Sequence, residues 1–225
     1  AQTHRNLEVI VSDDGSSDDT VPIVRDVARK DCRVRIIQSP YNSGLPAVTR
    51  NRGLAEASGD FVAFLDQDDY WLKRKMEREV TVMLTNPAID IVHSCLLEVG
   101  RGPAAIGLIR LEPLRWRTAN RNSLSKRNVI QGSSVMIRTE VARQLGGFTE
   151  NPAFRTVEDF HLWIRVSSRS RIGFIPEVQG AYLRHERGAS QTESPLRKLV
   201  QLDEEFGLSL AKHFLRRREL IPGRL

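Results

Sequence analysis

Apolar and polar positions follow two alternating rhythms along the first hundred residues. Residues 7–12 (LEVIVS), 34–37, 61–65 and 89–99 read as strands, and 61–65 is a continuous apolar run, the pattern of a buried strand of a parallel sheet. Between them, residues 21–30, 47–58 and 72–84 carry apolar positions at helical spacing, as with Val24, Val27 and Ala28. Turn chemistry marks the joints. Asp13-Asp14-Gly15-Ser16-Ser17-Asp18-Asp19-Thr20 supplies side-chain oxygens for a turn and a helix start, and residues 39–46 are rich in Pro, Gly, Asn and Ser. Gly59 suits the end of the second helix, and Asn86-Pro87 stops the third. Strand–helix alternation of this kind predicts an α/β domain with a mostly parallel central sheet flanked by helices.

The rhythm weakens over residues 100–128, which read as a variable loop region, and then resumes. Residues 133–138 predict a strand, 140–145 a short helix, 158–168 a helix, and 171–176 and 181–185 two late strands. Residues 195–218 form a long helical stretch with Leu199, Leu202, Phe206, Leu210 and Phe214 in one stripe. The expected division is one domain over residues 1–190 and a C-terminal helical extension over 191–225. A length of 225 residues fits that plan and is enough to bury a sizeable core.

Charge adds a partner class. Lys and Arg number 34 and Asp and Glu 28, so the net charge is 34 − 28 = +6, which suits an anionic substrate or an acidic membrane surface. No nucleic-acid motif with interleaved aromatics is present, so nucleic acid is not an expected partner. Cys32 and Cys95 lie far apart without metal spacing, which fits a reducing compartment. No apolar run is long enough to cross a bilayer as a helix, and no signal peptide is visible. The chain opens at Ala1 in a polar stretch without an initiator Met, the expectation for a piece of a longer protein.

The chemistry concentrates where the third apolar run ends. Phe61-Val62-Ala63-Phe64-Leu65 gives way to Asp66-Gln67-Asp68-Asp69, three carboxylates within four positions. Ligands of open α/β sheets bind beyond the carboxyl ends of strands. Crowded like charges there call for a cation, and hard oxygen ligands select Mg²⁺ or Mn²⁺, bound through one or two carboxylates plus substrate phosphates. The alternative is a solvated acidic turn that caps the next helix.

Asp13-Asp14 after the first strand, Asp66-x-Asp68-Asp69 after the third, and Glu158-Asp159 opening a later helix stand in one order. With Arg50-Asn51-Arg52-Gly53-Leu54-Ala55, Gly132-Ser133-Ser134-Val135-Met136-Ile137-Arg138, Gly146-Gly147-Phe148 and Tyr182-Leu183-Arg184-His185, they make the chain resemble family 2 glycosyltransferases over about residues 2–190. The resemblance implies a GT-A fold, a single Rossmann-like domain. It implies an inverting transfer of a sugar from a nucleotide-diphosphate donor to a saccharide or lipid-linked hydroxyl acceptor, in cell-surface polysaccharide or glycolipid synthesis. It also implies a cytoplasmic setting with possible peripheral contact at the inner membrane face. Family members begin with an apolar strand, a nucleotide-cradling loop and a helix before the position of Gln2, and this sequence does not contain them. Two rival readings are a non-catalytic nucleotide-binding fragment and, less favoured, a nucleotidyltransferase.

The resemblance also assigns roles. Asp68 matches the second aspartate of the family's DxD motif and is the preferred metal ligand, with Asp66 at the ribose or the metal and His185 near the metal or diphosphate. Asp13 and Asp14 match the nucleotide-recognition pair, and a carboxylate that accepts a pyrimidine N3–H favours a uridine donor. Arg50 is placed at the pyrophosphate or base, and Arg52 is expected in solvent. Asp159 is the expected general base, with Glu158 second. Trp163 suits the core or the acceptor site. Asp69, like each acidic pair, has a competing role as a helix-start residue. The basic C-terminal stretch, with Arg197 and Lys198, either lies on an anionic membrane or docks through Leu202, Phe206 and Leu210. Sugar, acceptor and oligomeric state are left open.

Overall fold

The computed structural model describes residues 1–100, 106–108, 124, 128, 130–184 and 195–210. The first half alternates as the periodicity predicts: β1 (Val9–Asp13), α1 (Thr20–Lys30), β2 (Val34–Gln38), α2 (Pro46–Glu56), β3 (Phe61–Ala63), β4 (Tyr70–Trp71), α3 (Lys75–Thr85) and β5 (Ile89–Gly100). A short β6 (Ile106–Leu108) lies in the expected loop region. A 3₁₀ turn (Gly132–Ser134) leads into β7 (Val135–Arg138) and α4 (Thr139–Gln144). A second 3₁₀ turn (Pro152–Phe154) precedes α5 (Glu158–Ser167), β8 (Arg171–Arg184) and α6 (Pro195–Phe206).

The strands form two sheets. β1 and β2 pair in parallel, and the larger sheet runs β3-β7-β5-β8-β4 with β6 on β5. The expected parallel pairing holds for β1–β2 and β5–β8, whereas the β3–β7, β5–β7, β5–β6 and β4–β8 pairs are antiparallel. A periodicity reading sees that a strand is buried on both faces but not which way its neighbour runs. The two late strands expected over residues 171–185 are one strand. Pro176, which cannot donate to a ladder, sits in a bulge where Ser94 pairs Ile175 and Cys95 pairs Val178.

Two close approaches need glycine. Gly15 has φ +77°, and a Cβ there would stand 2.8 Å from the Tyr41 carbonyl carbon, so the loop after β1 can lie on the loop after β2. A Cβ on Gly180 would meet the Tyr70 carbonyl oxygen at 2.3 Å, which is how β4 gets close enough to pair with β8.

The main core lies between one face of the large sheet and α2, α4, α5 and α6. It joins Leu54, Phe64, Ile91, Phe148, Phe160, Trp163 and Leu202. A smaller cluster on the other face sets α3 against the sheet through Met83, Val92, Met136 and Ile175. Helix α5 is apolar around most of its circumference, with Phe160, Leu162, Trp163, Ile164 and Val166 all buried, so it is an interior helix. Its first turn carries Glu158 and Asp159, which the helix dipole favours. Trp163 has no exposed surface, and its indole N–H has no partner among the described residues. Of the two expected places, the core holds and the acceptor-site lining is corrected: the ring packs edge-on to Phe148 at 6.1 Å. Helix α6 docks on the domain, with Leu202 fully buried and Leu199 and Phe206 packed against the main core. No described helix is long and apolar enough to cross a membrane.

Candidate active site

Three consecutive residues of α2 organise the site. Side chains at successive helix positions diverge by about 100°. Arg50, Asn51 and Arg52 therefore reach three different elements. The Arg50 guanidinium donates to Glu158 Oε1 at 2.6 Å and to Asp66 Oδ1 at 2.7 Å, bridging the ends of β3 and α5. Asn51 exchanges hydrogen bonds with the Phe148 backbone, accepting from its N–H at 2.8 Å and donating to its carbonyl at 2.9 Å. That pins the turn of Gly146, Gly147 and Phe148. Arg52 pairs with Asp14 Oδ1 at 3.3 Å, so it is not the solvated residue that helical geometry alone suggested.

Arg50 is largely buried, and its cationic form is held by the two carboxylates despite the opposing effect of burial. Its guanidinium also lies 5.4 Å from the centre of the Phe148 ring, a cation–π contact that replaces lost hydration. A buried charge of this kind persists only when paired, and removing one partner of such a network costs about 3–5 kcal/mol.

Asp159 is next to this network. Burial pushes its carboxyl up to about 7, the neighbouring Glu158 charge adds to the rise, and Arg50 opposes it. One oxygen accepts the Phe160 N–H at 2.6 Å. A Cβ placed on Gly132 would lie 3.9 Å from both the Arg50 guanidinium and Asp159 Oδ2, so the turn before β7 borders the same space. Glu158 is buried, and its Oε2 has no hydrogen-bond partner among the described residues.

The acidic loop after β3 is held from behind. The Ser133 hydroxyl accepts the Asp66 N–H at 3.1 Å, and the Ser133 carbonyl accepts the Trp71 indole N–H at 2.7 Å. Asp69 is buried and accepts the Leu183 N–H at 3.0 Å, so it ties the loop to β8. Burial raises the Asp69 carboxyl, and the Asp66 and Asp68 charges add to this against its hydrogen bonds. Asp66 and Asp68 keep intermediate exposure. Sequence reasoning missed Ser133 and Trp71 as supports. The Gly-Ser-Ser before β7 and the Trp that closes the acidic motif were the available signals.

The first acidic pair divides its work. Asp13 is buried and accepts the N–H groups of Gly15 and Ser16, which shapes its own loop. Asp14 accepts from the Ser43 amide and hydroxyl at 2.9 and 2.8 Å. Burial works to raise the Asp14 carboxyl, but the Ser43 bonds and Arg52 hold it below its usual range. Asp14 is therefore anionic near neutral pH. His185 lies outside the described residues. Among the described residues, no three His, Cys, Asp or Glu side chains converge as a metal cage.

An acidic loop after β3, an arginine that ties it to Glu158, and a further acidic pair at the end of β1 thus stand at the ends of strands of one α/β scaffold. The chain belongs to glycosyl transferase family 2, whose family model matches residues 1–146. Among its relatives is TuaG of Bacillus subtilis, assigned as a teichuronic acid biosynthesis glycosyltransferase. It is 32% identical over 164 residues, covering 72% of this chain and 61% of that protein. Another is WfaP of Escherichia coli, a UDP-Glc:α-D-GlcNAc-diphosphoundecaprenol β-1,3-glucosyltransferase. It is 41% identical over 85 residues, 38% of this chain and 33% of that protein. The chain thus spans less than two thirds of the length of these relatives. In three dimensions it is similar to the mannosyltransferase PcManGT of Pyrobaculum calidifontis, solved with GDP-Man and Mn²⁺. That match has a TM-score of 0.65 at 20% identity, covering 99% of this chain and 58% of that one.

Proposed function

We propose that this chain carries the donor and catalytic carboxylates of an inverting glycosyltransferase. The donor is a nucleotide-diphosphate sugar, with a UDP-sugar favoured, and the acceptor is a saccharide or lipid-linked hydroxyl in cell-surface polysaccharide synthesis. The observation that carries this reading is the Arg50 bridge, which brings Asp66 and the Glu158–Asp159 pair to one place from distant parts of the chain. A relative that uses UDP-Glc and a diphosphoundecaprenol acceptor supports the substrate classes.

Transfer with inversion needs a base for the acceptor hydroxyl and charge neutralisation for the leaving diphosphate. Asp159 takes the acceptor proton, since a carboxyl near 7 is half ionised at neutral pH and still basic enough to accept it. Glu158 keeps Arg50 in place and adds to the field that raises Asp159. Asp13 and Asp14 are the pair for recognising the nucleotide base, Asp13 by shaping the loop, with Asp66 at the ribose or the metal.

Mg²⁺ or Mn²⁺ suits the acidic loop, because Asp66 and Asp68 keep intermediate exposure there and such ions bind through one or two carboxylates plus substrate phosphates. Asp68 would hold it, with Asp66 assisting and His185 as a further ligand. When bound, it supplies Lewis-acid stabilisation to the departing diphosphate. A mannosyltransferase of similar fold was solved with Mn²⁺, which supports a divalent ion as the class of cofactor.

Calorimetric titration of UDP with Mn²⁺, with EDTA, and with Asp68→Asn tests the reading. The expected result is binding that needs the ion and weakens at least about tenfold in the variant. UDP binding indifferent to both EDTA and the substitution would overturn the metal assignment. If UDP, dTDP and GDP all fail to bind a chain extended at its N-terminus, the donor assignment fails as well.

A further inference from the structure

Thr156 is the one non-glycine residue among those described with a left-handed backbone, at φ 71°. A β-branched side chain is poorly suited to that region, so something must hold it there. The strained residue sits two positions before Glu158, in the turn that starts α5. The Val157 N–H donates to the Phe154 carbonyl at 2.9 Å, and the Val157 carbonyl accepts the His161 N–H at 2.9 Å. The aim of the first turn of α5, and of Asp159 on it, is therefore set by the geometry at Thr156.

The holding group comes from the C-terminal helix. Lys198 of α6 is buried, and its ammonium donates to the Arg155 carbonyl and to Thr156 Oγ1 at 2.8 Å. One turn on, Leu202 is fully buried in the core cluster that contains Phe160 and Trp163. Two turns on, Glu205 meets His161 Nε2 at 2.9 Å. Lys198, Leu202 and Glu205 are spaced four and three apart, so they share one face of α6. That face grips α5 at its start and at its second turn, with an apolar anchor between. The family model ends at residue 146, so both ends of this clamp lie beyond the matched segment.

We infer that Lys198 is a positioning residue for the reaction: its ammonium fixes the strained Thr156 turn, and through it the placement of the Asp159 carboxylate beside Glu158, Arg50 and Asp66. This rests on the transferase reading above for the role of Asp159, but the clamp itself is testable without substrate. It also gives α6 a part in the chemistry beyond covering the core.

The test pairs amide hydrogen exchange with steady-state turnover of a UDP-sugar, on the full chain, for Lys198→Met and for Lys198→Met combined with Thr156→Gly. The single variant should speed exchange of the amides of residues 157–160 about tenfold while leaving β5 and β8 unchanged. It should lower kcat about tenfold and leave the donor KM within about twofold, because misaimed catalytic groups lose rate rather than binding. Adding Thr156→Gly, which removes the backbone strain, should restore most of both losses. Unchanged exchange over residues 157–160, or no rescue by glycine, would overturn the clamp. If Lys198→Met does not fold, Lys198→Gln carries the same comparison. If an N-terminally extended wild-type chain turns over no nucleotide sugar while the variants' exchange responds as expected, the transferase reading falls and the clamp stands.

Discussion

Asp159 and His93 are buried ionisable groups shifted in opposite senses, and each makes a separate pH prediction. Folding raises the Asp159 carboxyl to about 7, so the folded chain holds that proton more tightly than the unfolded one. The associated stability is present below the ordinary aspartate range and is lost as pH rises through 7. Asp159→Asn should therefore melt higher than the native chain at pH 8 in calorimetry. The same variant should lose at least about a hundredfold in turnover and lose the rise of kcat/KM through pH 7. His93 runs the other way. It is buried against the Phe174 ring, neither ring nitrogen is hydrogen-bonded among the described residues, and burial pushes its pKa down to about 4. The unfolded chain takes up that proton first, so stability falls as pH drops from the usual histidine range toward 4, by about 3 kcal/mol in full. Urea unfolding at pH 7 and at pH 4.5 checks this, and His93→Phe should remove most of the difference. The sequence reading set Asp159 apart and passed over His93. An acidic pair at a helix start has a local signature, whereas a histidine inside a strand takes its character from whatever packs over it.

Helix α3 carries a fully buried ion pair four residues apart, Lys75 Nζ to Glu79 Oε2 at 2.6 Å, neither side chain exposed. Lys75 also lies 4.6 Å from the centre of the Trp71 ring, and the Ser94 hydroxyl donates to Glu79. Burial lowers the lysine and raises the glutamate, and each is countered by the other's charge. Glu79→Ala leaves the ammonium without its partner and should destabilise the fold by about 3–5 kcal/mol in urea titration. A double change to Met and Leu of similar volume should recover most of that loss. Trp71 holds Ser133, which holds the backbone of Asp66, so the single variant should also weaken UDP binding. Helical spacing marked α3 as a helix but gave no reason to bury a lysine, because a Lys and a Glu four apart on a helix pair equally well on its exposed face. Likewise α2 was legible as a helix. That Arg50 bridges two distant carboxylates and Arg52 meets Asp14 is a consequence of which strand ends surround it.

The molecule joins a thinly covered pair of strands to a densely packed sheet. Helix α1 has no buried residue, and its Ile23 and Val27 are exposed, while β5 at the centre of the large sheet buries Ile91, Val92, Ser94 and Leu96 completely. Amide exchange should accordingly run faster over residues 9–38 than over β5 and β8. UDP bound at Asp13 and Asp14 should slow exchange in the first region; protection confined to the large sheet would place the nucleotide elsewhere. Saturating UDP at about a hundred times its Kd should add about 2.7 kcal/mol to the unfolding free energy. By itself the sequence determined the alternation of strands and helices, the turns between them and the acidic positions at strand ends, because periodicity and turn chemistry act within one element. Its motif order also placed the chain in its family. Tertiary structure alone decided the antiparallel pairings, the docking of α6, the burial of Trp163, the Arg50 bridge and the raised Asp159. Each of these depends on which distant residues exclude water from one another, and that depends on how the elements pack together.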